Sequence, residues 1–227
     1  MLSIEPIAHI KTDFKSKFGV PRQSGIAPFL QGKIIFTSNY RNCDALRGLE
    51  DFSHIWLIWH FSANNNQKWQ PLVRPPRLGG NTTIGVFASR SPFRPNGLGL
   101  SVVKIESIET NTTEGPIINV LGADLMNNTP IFDIKPYINY ADSIPNAQSG
   151  FVDMIEFKKL NVVFPASLQL YFTPQQIDTL LRVLENDPRP PYQNNPQKEY
   201  GFLFADYDIH FRVEENNLYI IDIKQIV

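Results

Sequence analysis

The stretch from Ile84 to Ser101, IGVFASRSPFRPNGLGLS, constrains this chain more than any other. It opens like a strand, with Ile84, Val86 and Phe87 set among polar positions. It then meets Pro92 and Pro95, neither of which can donate to a central β-ladder. Strand character resumes from Leu98 to Ile105. Between the two halves lies a stiff loop presenting Arg90, Ser91, Arg94 and Asn96. Two guanidinium groups, a hydroxyl and an amide on a loop with little freedom suit an anionic ligand or one rich in acceptors. Gly97 and Gly99 allow a ligand to approach the backbone. The plainer alternative is a proline-stiffened hairpin with solvated arginines.

The surrounding chain reads as short strands joined by glycine and proline. Strands are expected over 3–10, 33–37, 52–61, 117–123 and 129–134, with a turn of helix at 44–51 ending near Gly48. The run at 52–61 is apolar at successive positions, which suits a strand buried on both faces or lying at an interface. His54 and His60 flank it and read as hydrogen-bonded structural residues. Residues 20–25, VPRQSG, form a turn in which Pro21 fixes the backbone and Arg22 and Gln23 supply donors. The 62–80 loop is long, polar and proline-rich, with Lys68, Arg74 and Arg77 forming a basic lip. Such a pattern argues for a β-barrel or sandwich.

Beyond about residue 148 the pattern changes. Thr173-Pro174-Gln175-Gln176 signals a helix start: a Thr cap, Pro at the first helical position, and Gln three residues after the cap. Ile177, Leu180, Leu181 and Leu184 then share a face, and the helix stops before Asp187-Pro188. Strands at 200–213 and 218–226 follow, joined at Asn216-Asn217. The expected architecture is mainly β, with an N-terminal domain over 1–148 and a small α+β C-terminal domain over 149–227.

Charge is informative only when mapped. The net charge is −1, but no Asp or Glu occurs between Phe52 and Ile105, a segment carrying Lys68, Arg74, Arg77, Arg90, Arg94 and Lys104. A near-neutral protein with one basic region can bind a polyanion locally. The single cysteine, Cys43, excludes an internal disulfide and a Cys-based zinc cluster, and is expected to be at least partly buried. No metal is expected. No run approaches a membrane span, and no secretory h-region stands at the start, so the expected location is cytoplasmic. Neither a G-x-G-x-x-G nor a G-x-x-x-x-G-K-[ST] nucleotide signature is present. What remains suits transfer between bound small molecules, or binding without chemistry.

Gly85–Asn96 with Gly99-Leu-Ser following resembles the signature of the TrmO family of tRNA adenine-N6 methyltransferases. Further blocks agree: Val20–Gln23, Gly48–Trp56, Arg74–Gly80, Asp124 through Tyr137, and Asp187–Tyr192 in the tail. The resemblance spans essentially the whole chain. It implies a β-barrel S-adenosylmethionine enzyme, a homodimer, acting on tRNA that bears N6-threonylcarbamoyladenosine beside the anticodon. The implied cofactor site comprises Pro21, Arg22, Gln23, Ser62, Ala63, Arg90, Leu100, Asp124, Leu125, Met126 and Asn127. Asp124 and Asn96 are the candidate catalytic residues, with His54 a further hypothesis for a proton acceptor. For the substrate the candidates are Arg74, Arg77, Arg94, Asp187, Arg189 and Tyr192. Gly97 stands where many members carry Pro, and Ser62-Ala63 where bulkier polar residues are usual. A non-catalytic RNA- or cofactor-binding module is the alternative, as is a transferase or hydrolase acting on a metabolite.

Overall fold

The computed structural model describes residues 3–64, 68–155, 158–190 and 195–226. In chain order its first eight strands are β1 (Ala8–Thr12), β2 (Gln31–Phe36), β3 (His54–His60), β4 (Leu72–Val73), β5 (Ile84–Gly85), β6 (Leu98–Glu109), β7 (Ile117–Leu121) and β8 (Thr129–Pro136). Six of these close into an antiparallel barrel in the order β1-β2-β7-β6-β3-β8, while β4 and β5 pair apart as a small hairpin. A barrel this narrow is filled by side chains. Ile10, Ile34, Ile55, Leu57, Val103, Ile118, Val120 and Ile131 supply that filling and are almost wholly buried.

The alternation on β3 explains its continuous apolar run. Ile55, Leu57 and Trp59 point inward and are buried, whereas His54, Trp56, Ile58 and His60 form a half-buried outer face. The strand is therefore not buried on both sides within one chain. Trp59 pairs with Gly99 across the β3–β6 ladder. A Cβ at position 99 would lie 2.3 Å from the indole, so glycine is required here for packing.

Local differences from the sequence reading have identifiable causes. Strand β5 stops at Gly85; Val86–Ala88 curl into a 3-10 turn, because the hairpin to β4 is only two residues long. The expected helical turn at 44–51 is two 3-10 turns, Cys43–Leu46 and Leu49–Asp51, separated by Gly48 at φ 84°. Cys43 is exposed rather than buried.

The C-terminal part contains the short helices α1 (Asn139–Asp142) and α2 (Ala166–Gln169), then α3 (Pro174–Glu185). It also holds β9 (Asn161–Val163), β10 (Tyr200–Phe204), β11 (Tyr207–Glu214) and β12 (Asn217–Gln225), in the sheet order β10-β11-β12-β9. The α3 capping box forms as the sequence implies: Thr173 Oγ1 accepts from the Gln176 amide, and the Gln176 side chain accepts from the Thr173 amide. The single strand expected at 200–213 is instead a hairpin turning at Ala205, which adopts φ 51°.

A second core lies between α3 and this sheet, built on Phe202, Phe204, Phe211, Leu180, Leu184 and Leu218. Phe14, Ala27 and Leu30 from the irregular 13–30 segment belong to it as well. Phe14 bridges to Phe204, and the Ala205 amide donates to the Asp13 carbonyl at 2.8 Å. Residues 13–30 therefore run from the barrel to the second core and back. Among the described residues no helix is long and apolar enough to cross a membrane.

Candidate functional site

Antiparallel order decides where the loops go. The C-terminal ends of β1, β3 and β7 and the N-terminal ends of β2, β6 and β8 lie at the same rim of the barrel. Hence the segments 13–30, 61–64, 68–97 and 122–128 emerge together, although about 90 residues separate the first from the last.

Backbone hydrogen bonds join these loops. The Gly25 amide donates to the Gly122 carbonyl at 3.0 Å, and the Gly122 amide to Leu30 at 2.9 Å, which sets the 20–25 turn beside Asp124. The Asn127 amide donates to Phe14 at 2.7 Å and Thr12 Oγ1 to the Leu125 carbonyl at 3.0 Å. Leu125 is fully buried in the barrel core, so it offers a ligand only backbone. The Asn127 side-chain oxygen accepts from the Thr12 amide.

Asp124 is the most electrostatically constrained group at the rim. Its Oδ1 accepts from Ser101 Oγ at 2.5 Å, and Ser101 in turn accepts from Trp59 Nε1 at 2.9 Å. Ser101 is 1% exposed, so this relay is shielded from water. Burial pushes the Asp124 carboxyl above its ordinary range. The Ser101 hydroxyl, the backbone amides of Asp124 and Ser24, and the Arg90 charge oppose that shift without cancelling it. Arg90 meanwhile donates to the Gln23 side-chain oxygen, linking the signature loop to the 20–25 turn. Pro21, Gln23, Arg90 and the 124–127 segment are thus brought together at one rim.

Other expected residues fall differently. Arg94 turns inward, donating to the Ser89 and Val86 carbonyls at 2.6 and 3.2 Å, so it holds its own loop in shape. Asn96 is exposed, and its carbonyl accepts from Leu98 at 2.7 Å. Leu100 lies on the outer face of β6, 56% exposed. Ser62 and Ala63 begin a 3-10 turn at the end of β3, anchored where the Phe61 amide donates to Gly97 at 2.8 Å. His54 starts β3, at the end away from the rim, where its ring meets Ser53 and Tyr137. It is too far along the strand to act with Asp124, and that hypothesis is set aside.

Arg22 is the residue whose surroundings the sequence did not foretell. Its Nη2 donates to the carbonyls of Asp187 and Arg189 at 2.8 and 3.2 Å, fastening the 20–25 turn to the C-terminal part. Arg189 is itself held by Asp187 through two bonds of 2.8 Å. Around them opens a cleft of about 410 Å³ lined by Arg22, Arg74, Pro76, Gly80, Pro188, Arg189 and Pro190. Tyr192 lies outside the described residues. Among those described, no group of three or more His, Cys, Asp or Glu could hold a metal ion.

With this geometry established, similarity to known proteins becomes interpretable. Residues 9–143 match the family model described as the tRNA-methyltransferase O N-terminal domain, and 158–226 match the TrmO C-terminal domain. The chain is 36% identical to an Escherichia coli protein named tRNA (adenine(37)-N6)-methyltransferase, over 93% of either chain. It is also 36% identical to a Pseudomonas aeruginosa protein named putative S-adenosylmethionine-dependent methyltransferase RcsF, covering 95% of this chain and 94% of that one. The crystal structure of TrmO from P. aeruginosa superposes with a TM-score of 0.79 at 29% identity, covering 99% of this chain and 97% of that one. The chain belongs to the tRNA-methyltransferase O family.

Proposed function

We propose that this protein transfers a methyl group from S-adenosylmethionine to N6 of a threonylcarbamoyl-modified adenine beside the anticodon of tRNA. The observation that carries the proposal is the rim cluster of Asp124, Arg90 and the 20–25 turn, in a chain with an Escherichia coli relative, matched over 93% of either chain, that is named tRNA (adenine(37)-N6)-methyltransferase.

The residues fit the cofactor's chemistry. Arg90 suits its carboxylate, and the amides and carbonyls of the turn that follows Pro21 suit the edge of an adenine. Gln23, the 124–127 backbone and the turn at Ser62-Ala63 complete the enclosure, while Leu100 belongs to the outer face of β6. When bound, the cofactor supplies an electrophilic methyl on a sulfonium. The protein's part is then to hold the acceptor nitrogen in line and to take its proton, work in which positioning supplies much of the acceleration. Asp124 is assigned the proton: it is an acceptor at the rim, and a raised pKa brings a carboxylate closer to the working range of a general base. Asn96, exposed beside the site, is assigned to the acceptor base through its amide. The base must leave its stack, which an anticodon loop permits at modest cost. A tRNA substrate in turn implies a cytoplasmic location.

Two copies are proposed to pair through the outer face formed by Trp56, Ile58, Leu98, Leu100 and Phe132, where Leu98 and Leu100 are exposed apolar residues next to half-buried ones. Sedimentation of the purified protein tests this; a monomer at micromolar concentration would refute it. For the catalytic reading, Arg90→Ala is expected to abolish transfer while tRNA binding survives. Unchanged transfer in that variant would remove Arg90 from the site, whereas no transfer from the wild-type protein would favour a binding module.

A further inference from the structure

The cleft between the 20–25 turn, the 74–80 lip and the 187–190 loop has a lopsided charge. Among the described residues its lining carries three guanidinium groups, from Arg22, Arg74 and Arg189, and no carboxylate. Asp187 stands just outside, with both oxygens taken by Arg189. Arg22 reaches the surface, yet enough protein crowds its guanidinium to lower its pKa; Asp187 opposes the shift and Arg77 adds to it. Like charges that share one cleft repel unless an anion joins them. The walls are stiff, with Pro76, Pro188 and Pro190 among the lining residues, so little ordering is needed on binding. Among the described residues no ion pair or side-chain hydrogen bond engages Arg74, which leaves its planar fork available to an oxyanion.

We propose that this cleft is an oxyanion subsite for the RNA, filled by a backbone phosphate or by the carboxylate that the modified base carries. Arg74 supplies the open donor fork, Arg22 a second guanidinium, and Arg189, already braced by Asp187, the field. Because Arg22 precedes Gln23, and Gln23 receives the Arg90 hydrogen bond, occupancy of the cleft also braces the turn beside Asp124. The subsite rests on the methyltransferase reading, but its test can fail separately.

The test compares wild type, Arg74→Ala and Arg74→Glu, with Lys33→Ala on β2 as a control for loss of charge alone. Dissociation constants are measured for tRNA with and without the threonylcarbamoyl group, between 50 and 200 mM salt. A phosphate in the cleft predicts that Arg74→Ala weakens both RNAs alike, about tenfold, and lowers the salt slope by about one. A carboxylate predicts a loss confined to the modified RNA. In either case Arg74→Glu is worse than Ala, and Lys33→Ala binds like wild type. If wild type binds and methylates tRNA but Arg74→Glu matches it on both RNAs, the subsite is wrong and the activity stands. Wild-type protein that binds neither RNA overturns both readings.

Discussion

At Asp124, burial and hydrogen bonding pull the carboxyl in opposite directions, and burial prevails. A carboxyl raised above its unfolded value folds at a cost when ionised; the cost is absent at a pH below the unfolded pKa and complete above the folded one. Asp124→Asn removes that charge while keeping an acceptor for Ser101. Its melting temperature is therefore expected to match or exceed wild type at neutral pH, with the difference shrinking as the buffer is acidified. Methyl transfer is expected to be lost in the same variant, with cofactor affinity largely kept. A weakened cofactor with turnover spared would reassign Asp124 to holding the cofactor. Ser101 lowers the Asp124 pKa, so Ser101→Ala should move the acid limb of the pH–rate profile to higher pH. It also strands the buried Trp59 N–H, costing about 1–3 kcal/mol of stability. A purely structural Ser101 would give the stability loss with the limb unmoved.

At the scale of elements, what could be read from sequence was what is encoded locally. Helix α3 was legible because its cap, its Pro and its apolar spacing all lie within a dozen residues. Thr173→Ala is expected to cost about 1 kcal/mol in denaturant unfolding, by loss of the capping box. Strand β9 was not legible: three residues hold too few alternations, and its parallel partner lies some 55 residues away in β12. The turn at Ala205-Asp206 lacks the Gly or Asn that marks most such turns, so β10 and β11 read as one strand. Gly99 was read as room for a ligand, whereas in the fold it makes room for Trp59. Gly99→Ala therefore overpacks the barrel, and a loss of about 1–3 kcal/mol or more is expected on thermal unfolding. Full stability in that variant would mean that the indole sits elsewhere.

Across the whole molecule, the site arises from closure of the barrel and from the path of one irregular segment. The sequence motifs marked Pro21, Gln23, Arg90 and Asp124 as residues of interest, but their meeting depends on antiparallel order and on the Gly25–Gly122 hydrogen bond. Neither has a signature in linear spacing. The same holds for Arg22, whose contacts lie some 165 residues away, and for Phe14, Ala27 and Leu30, which enter the second core without any periodicity to announce them. That segment joins the two cores, so proteolysis or mutation within 13–30 should loosen the barrel rim and the C-terminal sheet together.

The central claim is tested most directly by methyl transfer from labelled S-adenosylmethionine to two tRNA pools, one carrying the threonylcarbamoyl group and one lacking it. The account predicts label in the modified pool alone, and none there with Asp124→Asn. Label in neither pool, from protein that still binds the cofactor, would contradict it and leave the rim cluster as a binding site without chemistry.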